Sequence, residues 1–397
     1  MRSFTITAPL LAIGLALASC GYDGTDGQDA DRPSAVDRKD QTGADSMASR
    51  DPGPGEKADA GAADIESRPL MQAQVVLERI GFGPGVIDGK MGISTTNALH
   101  GFQEANDLTA SGELDEPTRA ALARWNNIPA TRVVTIPEGW GQGQYRPLPD
   151  DYADQAKLDH LGYESLDEAL AERFHTTIEV LYQLNPNGRP AGRDNTASPA
   201  PTPVASAGTE RSTMPPRPAF RVGQEIRVPN VGADRIMPSD VENKDWLKTL
   251  ASLGVGSEQP EAARIVVDKS GGWLKAYDAD DKLIAMFTVT TGSENDPLPL
   301  GEWGIKGTAF NPPYAYNPDL FWDASSSDKE QDLPPGPNGP VGVVWIDLTK
   351  EHYGIHGTPE PSTIGRTESH GCVRLTNWDA ARLAQMVTGS TQVLFQA

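Results

Sequence analysis

Two stretches of this chain lack the side chains from which a core is built, and they set what the rest can become. Residues 21–64 carry Asp, Gly, Ala and Ser with almost no large apolar residue, and about 188–218 is rich in Pro, Ala, Ser and Thr. Such segments bury too little apolar surface to offset the entropy lost on ordering. The 397 residues are therefore expected to fold as two or three small domains, with much of the length spent on linker. Residues 20–65 read as a disordered acidic tether, since eleven acids face five bases between Tyr22 and Asp64 and the like charges repel. A total of 40 Gly and 33 Pro, with only 38% hydrophobic residues, agrees with so much linker. The net charge of −21 argues against a general polyanion binder, which would show a basic stripe. Only two cysteines occur, Cys20 and Cys372. That excludes a disulfide scaffold and a Cys-rich zinc site, and leaves one disulfide or two thiols with separate roles.

Behind Met1 and Arg2, residues 4–18 form an apolar run too short to span a bilayer but suited to a signal-peptide core. It ends in Leu17-Ala18-Ser19-Cys20, which resembles the lipobox of bacterial lipoproteins. The resemblance implies cleavage after residue 19, acylation of Cys20 and stable membrane anchoring by its acyl chains. An ordinary signal peptide with a chance cysteine is the alternative. The expected location is the cell envelope, as an exported lipoprotein facing periplasm or wall. Gly21 supplies no aspartate retention signal, which favours the outer membrane in a Gram-negative cell.

Residues 66–128 read as three helices. Leu70, Gln74, Leu77 and Ile80 follow helical spacing, Leu99 and Phe102 share a face of a helix from Thr95, and Asp115-Glu116-Pro117 caps a third. The stretch Gly85-Val86-Ile87-Asp88-Gly89-Lys90-Met91-Gly92, with Thr95-Thr96, Ala98-Leu99, Phe102-Gln103 and Leu108…Gly112…Leu114-Asp115, resembles the small all-α peptidoglycan-binding domain of cell-wall enzymes. Asp88 reads as a turn residue. In 158–230, Ser165-x-x-Glu168 and Thr176-x-x-Glu179 read as capping boxes for helices 166–173 and 177–184, stopped by Asn185-Pro186-Asn187. Apart from an inserted linker at 188–218, this region resembles a small α+β LysM-like glycan-binding module. It departs in a weak strand before Leu166 and a second strand, near Phe220–Pro229, that arrives late.

Residues 261–397 carry short runs of β-branched and aromatic residues, Arg264–Asp268, Trp273–Tyr277, Leu283–Thr290 and Val341–Asp347, then a helix near Asn377–Val387. The expected fold is a mainly β sandwich or barrel-like sheet. Its chemistry gathers at His356-Gly357-Thr358 and Ser369-His370-Gly371-Cys372-Val373-Arg374-Leu375. A thiol is a weak nucleophile until an imidazole takes its proton, and a glycine before it frees N–H groups to face an oxyanion. This is the layout of a thiol acyltransferase.

The pattern H-G-T, spacer, S-H-G-C-V-R-L resembles the catalytic signature of L,D-transpeptidases, as do Gly301-Glu302-Trp303-Gly304-Ile305 and Pro334–Gly342. The resemblance implies that Cys372 is the nucleophile, acting as a thiolate, and His356 the base and later the acid. It implies that Ser369, His370 and Gly371 shape the site, with the Gly371 and Cys372 N–H groups as oxyanion donors. Arg374, Gly357 and Tyr314 are candidates for substrate contact, Arg374 through a carboxylate or else in a structural ion pair. Segment 310–340, with Tyr314, Tyr316, Phe321 and Trp322, is a candidate lid. The implied substrates are peptidoglycan stem tetrapeptides. Terminal D-Ala leaves, and the thioester passes to an amine, giving a 3→3 cross-link or an anchored wall protein. With water as acceptor the enzyme is an L,D-carboxypeptidase or hydrolase, and a degenerate domain leaves a peptidoglycan-binding lipoprotein. No cofactor or metal is expected, because the histidines lack ligand spacing, and no nucleic acid.

Overall fold

The computed structural model describes residues 64, 66–143, 145–192, 220–232, 236–325 and 327–397, all of them in the unit Gly43–Ala397. The expected signal peptide, Cys20, nearly all of the tether and most of the insert lie outside the described residues. Asp64, at the expected end of the tether, accepts hydrogen bonds from Arg68 Nε (2.9 Å) and Thr131 Oγ1 (2.8 Å).

The first module opens with α1 (Pro69–Arg79), whose N-terminal proline occupies a position where no N–H is needed. A two-residue strand, β1 (Phe82–Gly83), precedes α2 (Ile93–Ala105) and α3 (Glu116–Leu122). Asp115 caps α3 by accepting from Thr118 N at 2.9 Å. Helix α2 starts two residues ahead of Thr95, at Ile93. Asp88 holds its turn by accepting from Lys90 N (2.9 Å) and Gln74 Nε2 (3.2 Å).

The second module contains β2 (Thr131–Thr135), α4 (Tyr152–Gln155), α5 (Leu166–Arg173), α6 (Ile178–Leu184) and β3 (Glu225–Pro229). Strands β2 and β3 pair antiparallel around the two main helices, from Thr131↔Pro229 to Thr135↔Glu225. No strand lies immediately before Leu166 among the described residues, and the partner of β3 is β2, outside 158–230. Ser165 caps α5 through Glu168 N, at 3.1 Å. The second capping box is corrected by one residue. Thr177 caps α6 through Val180 N at 3.3 Å, because Thr176 is taken by Ile87 of the first module, whose carbonyl accepts its hydroxyl at 2.7 Å.

Helix α7 (Lys244–Leu253) leads into the third module, with β4 (Arg264–Asp268), β5 (Trp273–Tyr277), β6 (Leu283–Thr288), β7 (Gly301–Trp303), β8 (Ile305–Phe310), β9 (Tyr314–Tyr316), β10 (Gln331–Leu333), β11 (Val344–Leu348), β12 (Gly354–His356), β13 (Val373–Arg374), α8 (Asn377–Met386) and β14 (Gln392–Gln396). One sheet runs β1-β6-β5-β4-β14-β7 and the other β13-β12-β11-β8, while β9 and β10 form a separate hairpin. Ile265, Val267, Leu274 and Phe287 of the first sheet share a core with Val344, Ile346, Ile355 and Val373 of the second, and with Trp378 of α8. The domain is therefore mainly β with two facing sheets, as the alternation of apolar residues suggests.

The modules share cores as well. Strand β1 belongs to the first module yet pairs parallel with β6, Phe82↔Met286 and Gly83↔Phe287. Met286 and Leu283 join Leu77, Leu99, Phe102 and Trp125 in one cluster. Met71, Val75 and Ile87 pack with Leu170, Phe174, Leu181 and Ile226 in another. A buried polar network closes the three-way junction. Glu78 of α1 accepts from His175 Nδ1 at 2.8 Å and pairs with Arg382 Nη1 of α8 at 3.1 Å. His175 Nε2 meets the Leu253 carbonyl at 2.9 Å, and its ring stacks on Trp378 at 4.7 Å. Asn377 Nδ2 donates to Glu172 Oε1 at 2.7 Å. Burial pushes the Glu172 carboxyl up to about 8, so it holds its proton at neutral pH.

Candidate active site

The register of β12 and β13 assembles the site. These strands pair parallel, Ile355↔Val373 and His356↔Arg374, so His356 and Arg374 project from one face. Cys372 lies in the turn that immediately precedes β13, so its segment enters this strand pair from the N-terminal end. On the other side of His356, Trp345 of β11 is in register with it and stacks on the imidazole at 5.5 Å and 23°. Two hydrogen bonds fasten the cysteine segment to the strand end after β6, Arg374 N to Thr290 O (2.9 Å) and Thr290 N to Arg374 O (3.1 Å). Ser369 Oγ donates to the Cys372 carbonyl at 2.6 Å and closes the turn that presents the thiol. Gly371 has φ +101°, and a Cβ there would lie 2.6 Å from the Tyr353 ring, so both conformation and space demand glycine.

His356 is buried and its Nδ1 lies 2.7 Å from the Gly357 carbonyl. A carbonyl only accepts, so Nδ1 carries the proton and Nε2 is left bare as the base. Burial first, then the positive Arg374, lowers the His356 pKa to about 3. Burial raises the Cys372 thiol, against the opposing pull of a Gly354 backbone hydrogen bond and of Arg374. These directions make the resting pair thiol and neutral imidazole, with the thiolate formed only as the proton leaves. The thiol lies 3.8 Å from the His352 carbonyl. Arg374 Nε is buried with no hydrogen-bond partner among the described residues.

A pH dependence follows. An imidazole lowered to about 3 stays neutral through the working range. Acylation of Cys372 at pH 5.5 is expected within about twofold of the rate at pH 7.5, whereas a base with the ordinary value near 6.5 would lose about tenfold. Stopped-flow acylation by a carbapenem reads this. A tenfold acid fall centred near 6.5 that persists in His370→Gln would contradict it.

The other expected residues are placed as follows. His370 contacts the 310–340 segment, its Nε2 2.9 Å from Asp323 Oδ1 and its ring edge-on to Phe321 at 5.0 Å. Tyr314 opens β9, in the electrostatic reach of Cys372 and Arg374, with its phenol pushed up mainly by burial. Gly357 is buried against Asn377, whose Oδ1 would lie 2.3 Å from a Cβ there. Its carbonyl serves His356 rather than an open cleft. Sequence reasoning missed Trp345, Asp323, Tyr353 and Tyr152, which no local motif marks.

Residues 262–394 match the family model of the L,D-transpeptidase catalytic domain, and 67–122 match that of a peptidoglycan-binding domain. A Bacillus licheniformis protein named as the L,D-transpeptidase YkuD is 33% identical over 130 residues, covering 33% of this chain and 63% of its own length. Its namesake in Bacillus subtilis is 49% identical over 57 residues, 14% of this chain and 35% of that one. The solved structure of an L,D-transpeptidase from Mycobacterium smegmatis is 20% identical and covers 34% of this chain and 59% of that one, with a TM-score of 0.28.

Proposed function

We propose that the chain is a cysteine L,D-transpeptidase acting on peptidoglycan stem tetrapeptides. The observation that carries this reading is the pairing of His356 with Arg374, which brings the cysteine motif to the imidazole's strand, inside the segment that matches the L,D-transpeptidase catalytic domain. In the proposed reaction Cys372 Sγ attacks the amide carbonyl before the terminal D-Ala while its proton passes to His356 Nε2. The Gly371 and Cys372 N–H groups stabilise the oxyanion. The C–N bond then breaks, Nε2–H protonates the departing amine of D-Ala, and a thioester remains. An acceptor amine attacks, gives its proton to Nε2, and expels the sulfur, which regains the proton.

The βααβ arrangement of β2, α5, α6 and β3 supports the LysM-like reading of the second module, with glycan as its proposed ligand. A peptidoglycan-binding domain match at 67–122 points to the same polymer. Lipidation of Cys20 and an envelope location are part of the proposal. The test is the purified chain with disaccharide-tetrapeptide, products read by mass. Release of D-Ala with a dimer of the remaining tripeptide stem and an intact tetrapeptide stem is expected. Release of tripeptide without dimer makes water the acceptor, and no loss of D-Ala overturns the reading.

A further inference from the structure

Resting on that reading, we propose that Trp345 is the positioning residue of the base: its indole sets the plane of the His356 imidazole, so that Nε2 keeps one direction while it takes and returns the thiol proton. Trp345 lies outside both the histidine and the cysteine motif and reaches the site only through strand register.

A histidine ring has little orientation of its own, because its terminal side-chain torsion is broad and roughly two-fold. Neighbours must supply two constraints, one on the plane of the ring and one on its direction within that plane. The Gly357 carbonyl supplies the second by accepting from Nδ1 at 2.7 Å. Trp345 supplies the first. It stands opposite His356 across the β11–β12 pair. The two rings stack with centroids 5.5 Å apart and planes 23° from parallel.

The neighbouring strand leaves room for the indole. Gly354 precedes His356 by two positions on β12 and so shares its face. A Cβ at Gly354 would lie 2.5 Å from Trp345 Cζ2 and 2.7 Å from Cε2. The indole therefore runs diagonally across β12, over Gly354 and against His356, where any side chain at 354 would lift it off. Both constraints are tied to β11, since the Gly357 N–H donates to the carbonyl of Val344, the residue before Trp345, at 3.3 Å.

The stack also bears on charge. In the proposed reaction the Cys372 S–H bond breaks as an Nε2–H bond forms, and the imidazole becomes an imidazolium. A cation within about 6 Å of an indole centroid is attracted to its face, so the stack favours the state through which the proton passes. An aliphatic side chain offers neither the flat surface nor the π face.

The experiment follows acylation of the full chain by a carbapenem in stopped flow, separating the saturated rate from the half-saturating concentration. Trp345→Leu is expected to lower the saturated rate about thirtyfold, the scale of a small misplacement of a reacting group, with half-saturation within about threefold. Trp345→Phe, which restores an aromatic face, is expected within about fivefold of wild type. In a His356→Ala chain the leucine substitution is expected to change the rate by less than about twofold, because no ring remains to be positioned. Trp345→Met gives a second aliphatic variant with the same expectation, should the leucine chain fold poorly. No loss, equal losses from phenylalanine and leucine, a loss confined to half-saturation, or a loss that persists in the His356→Ala chain would overturn the proposal. Failure of the parent reading shows separately, as wild-type chain that acylates yet releases no D-Ala from disaccharide-tetrapeptide.

Discussion

Cys372→Ala is expected to take up no carbapenem mass at all, where the wild-type chain shifts by one adduct per molecule. In the proposed reaction the Cys372 thiol forms the acyl bond, and the variant removes it. His356→Ala is expected to slow acylation by about 10²–10⁴, the usual range for a positioned general base. This follows from the bare Nε2 that the Gly357 carbonyl enforces through Nδ1. His352→Ala makes the contrast. That residue offers the thiol its main-chain carbonyl, so loss of the imidazole is expected to change acylation by no more than about threefold. Intact mass and stopped-flow rates read all three variants. A full adduct on the alanine-372 chain would remove the nucleophile assignment, and equal losses from the two histidines would remove the base.

The second large effect is on stability. Glu78→Ala is expected to cost about 3–5 kcal/mol, because it leaves the Arg382 guanidinium and the His175 Nδ1 in a buried junction without this acceptor. In a chain of this size that is roughly 5–15 °C in thermal midpoint. Glu78→Gln keeps an acceptor oxygen and is expected to lose less. Because the three modules share cores, the variant should still unfold in one transition, followed by tryptophan fluorescence and by calorimetry. A midpoint within 2 °C of wild type, or separate melting of the first module, would contradict this. The neighbouring Glu172 adds a pH term. The folded state holds its proton up to about 8 while the unfolded chain releases it near 4.5. The folded state therefore binds more protons across that window, and this contribution falls as pH rises through it.

What could be read from sequence was what repeats locally. Arg264–Asp268 and Trp273–Tyr277 are strands with the expected bounds, since alternation shows within five residues. The helix after the cysteine begins at Asn377, as its pattern indicates. Cys372 and His356 stood out as candidates because their motifs are short and chemically specific. The register that sets His356 opposite Arg374 was not legible, as it depends on pairing between distant strands. Strand β2 escaped notice because its partner β3 lies beyond two helices and an insert. Thr176 looked like a cap, and only the arrival of Ile87 from another module removes its hydroxyl from that duty. The contact of Tyr152 with Tyr316 carries no sequence signal. It lies near a strap formed by Leu161 and Asn338, far apart in the chain.

The parallel pairing of β1 with β6 bears on how the enzyme would search the wall. Asn97 of α2 donates to Gly271 and Gly272 carbonyls, both at 3.3 Å, and Lys275 pairs with Glu104, so the first module is fastened along its length. A binding module on a floppy linker gives its catalytic partner a modest effective concentration over a wide sphere. A fastened one concentrates the active site at a single offset and leaves it almost absent elsewhere. If the first module grips a glycan strand, the distance from grip to Cys372 is a fixed ruler. Stems at that spacing would be processed in preference to nearer ones.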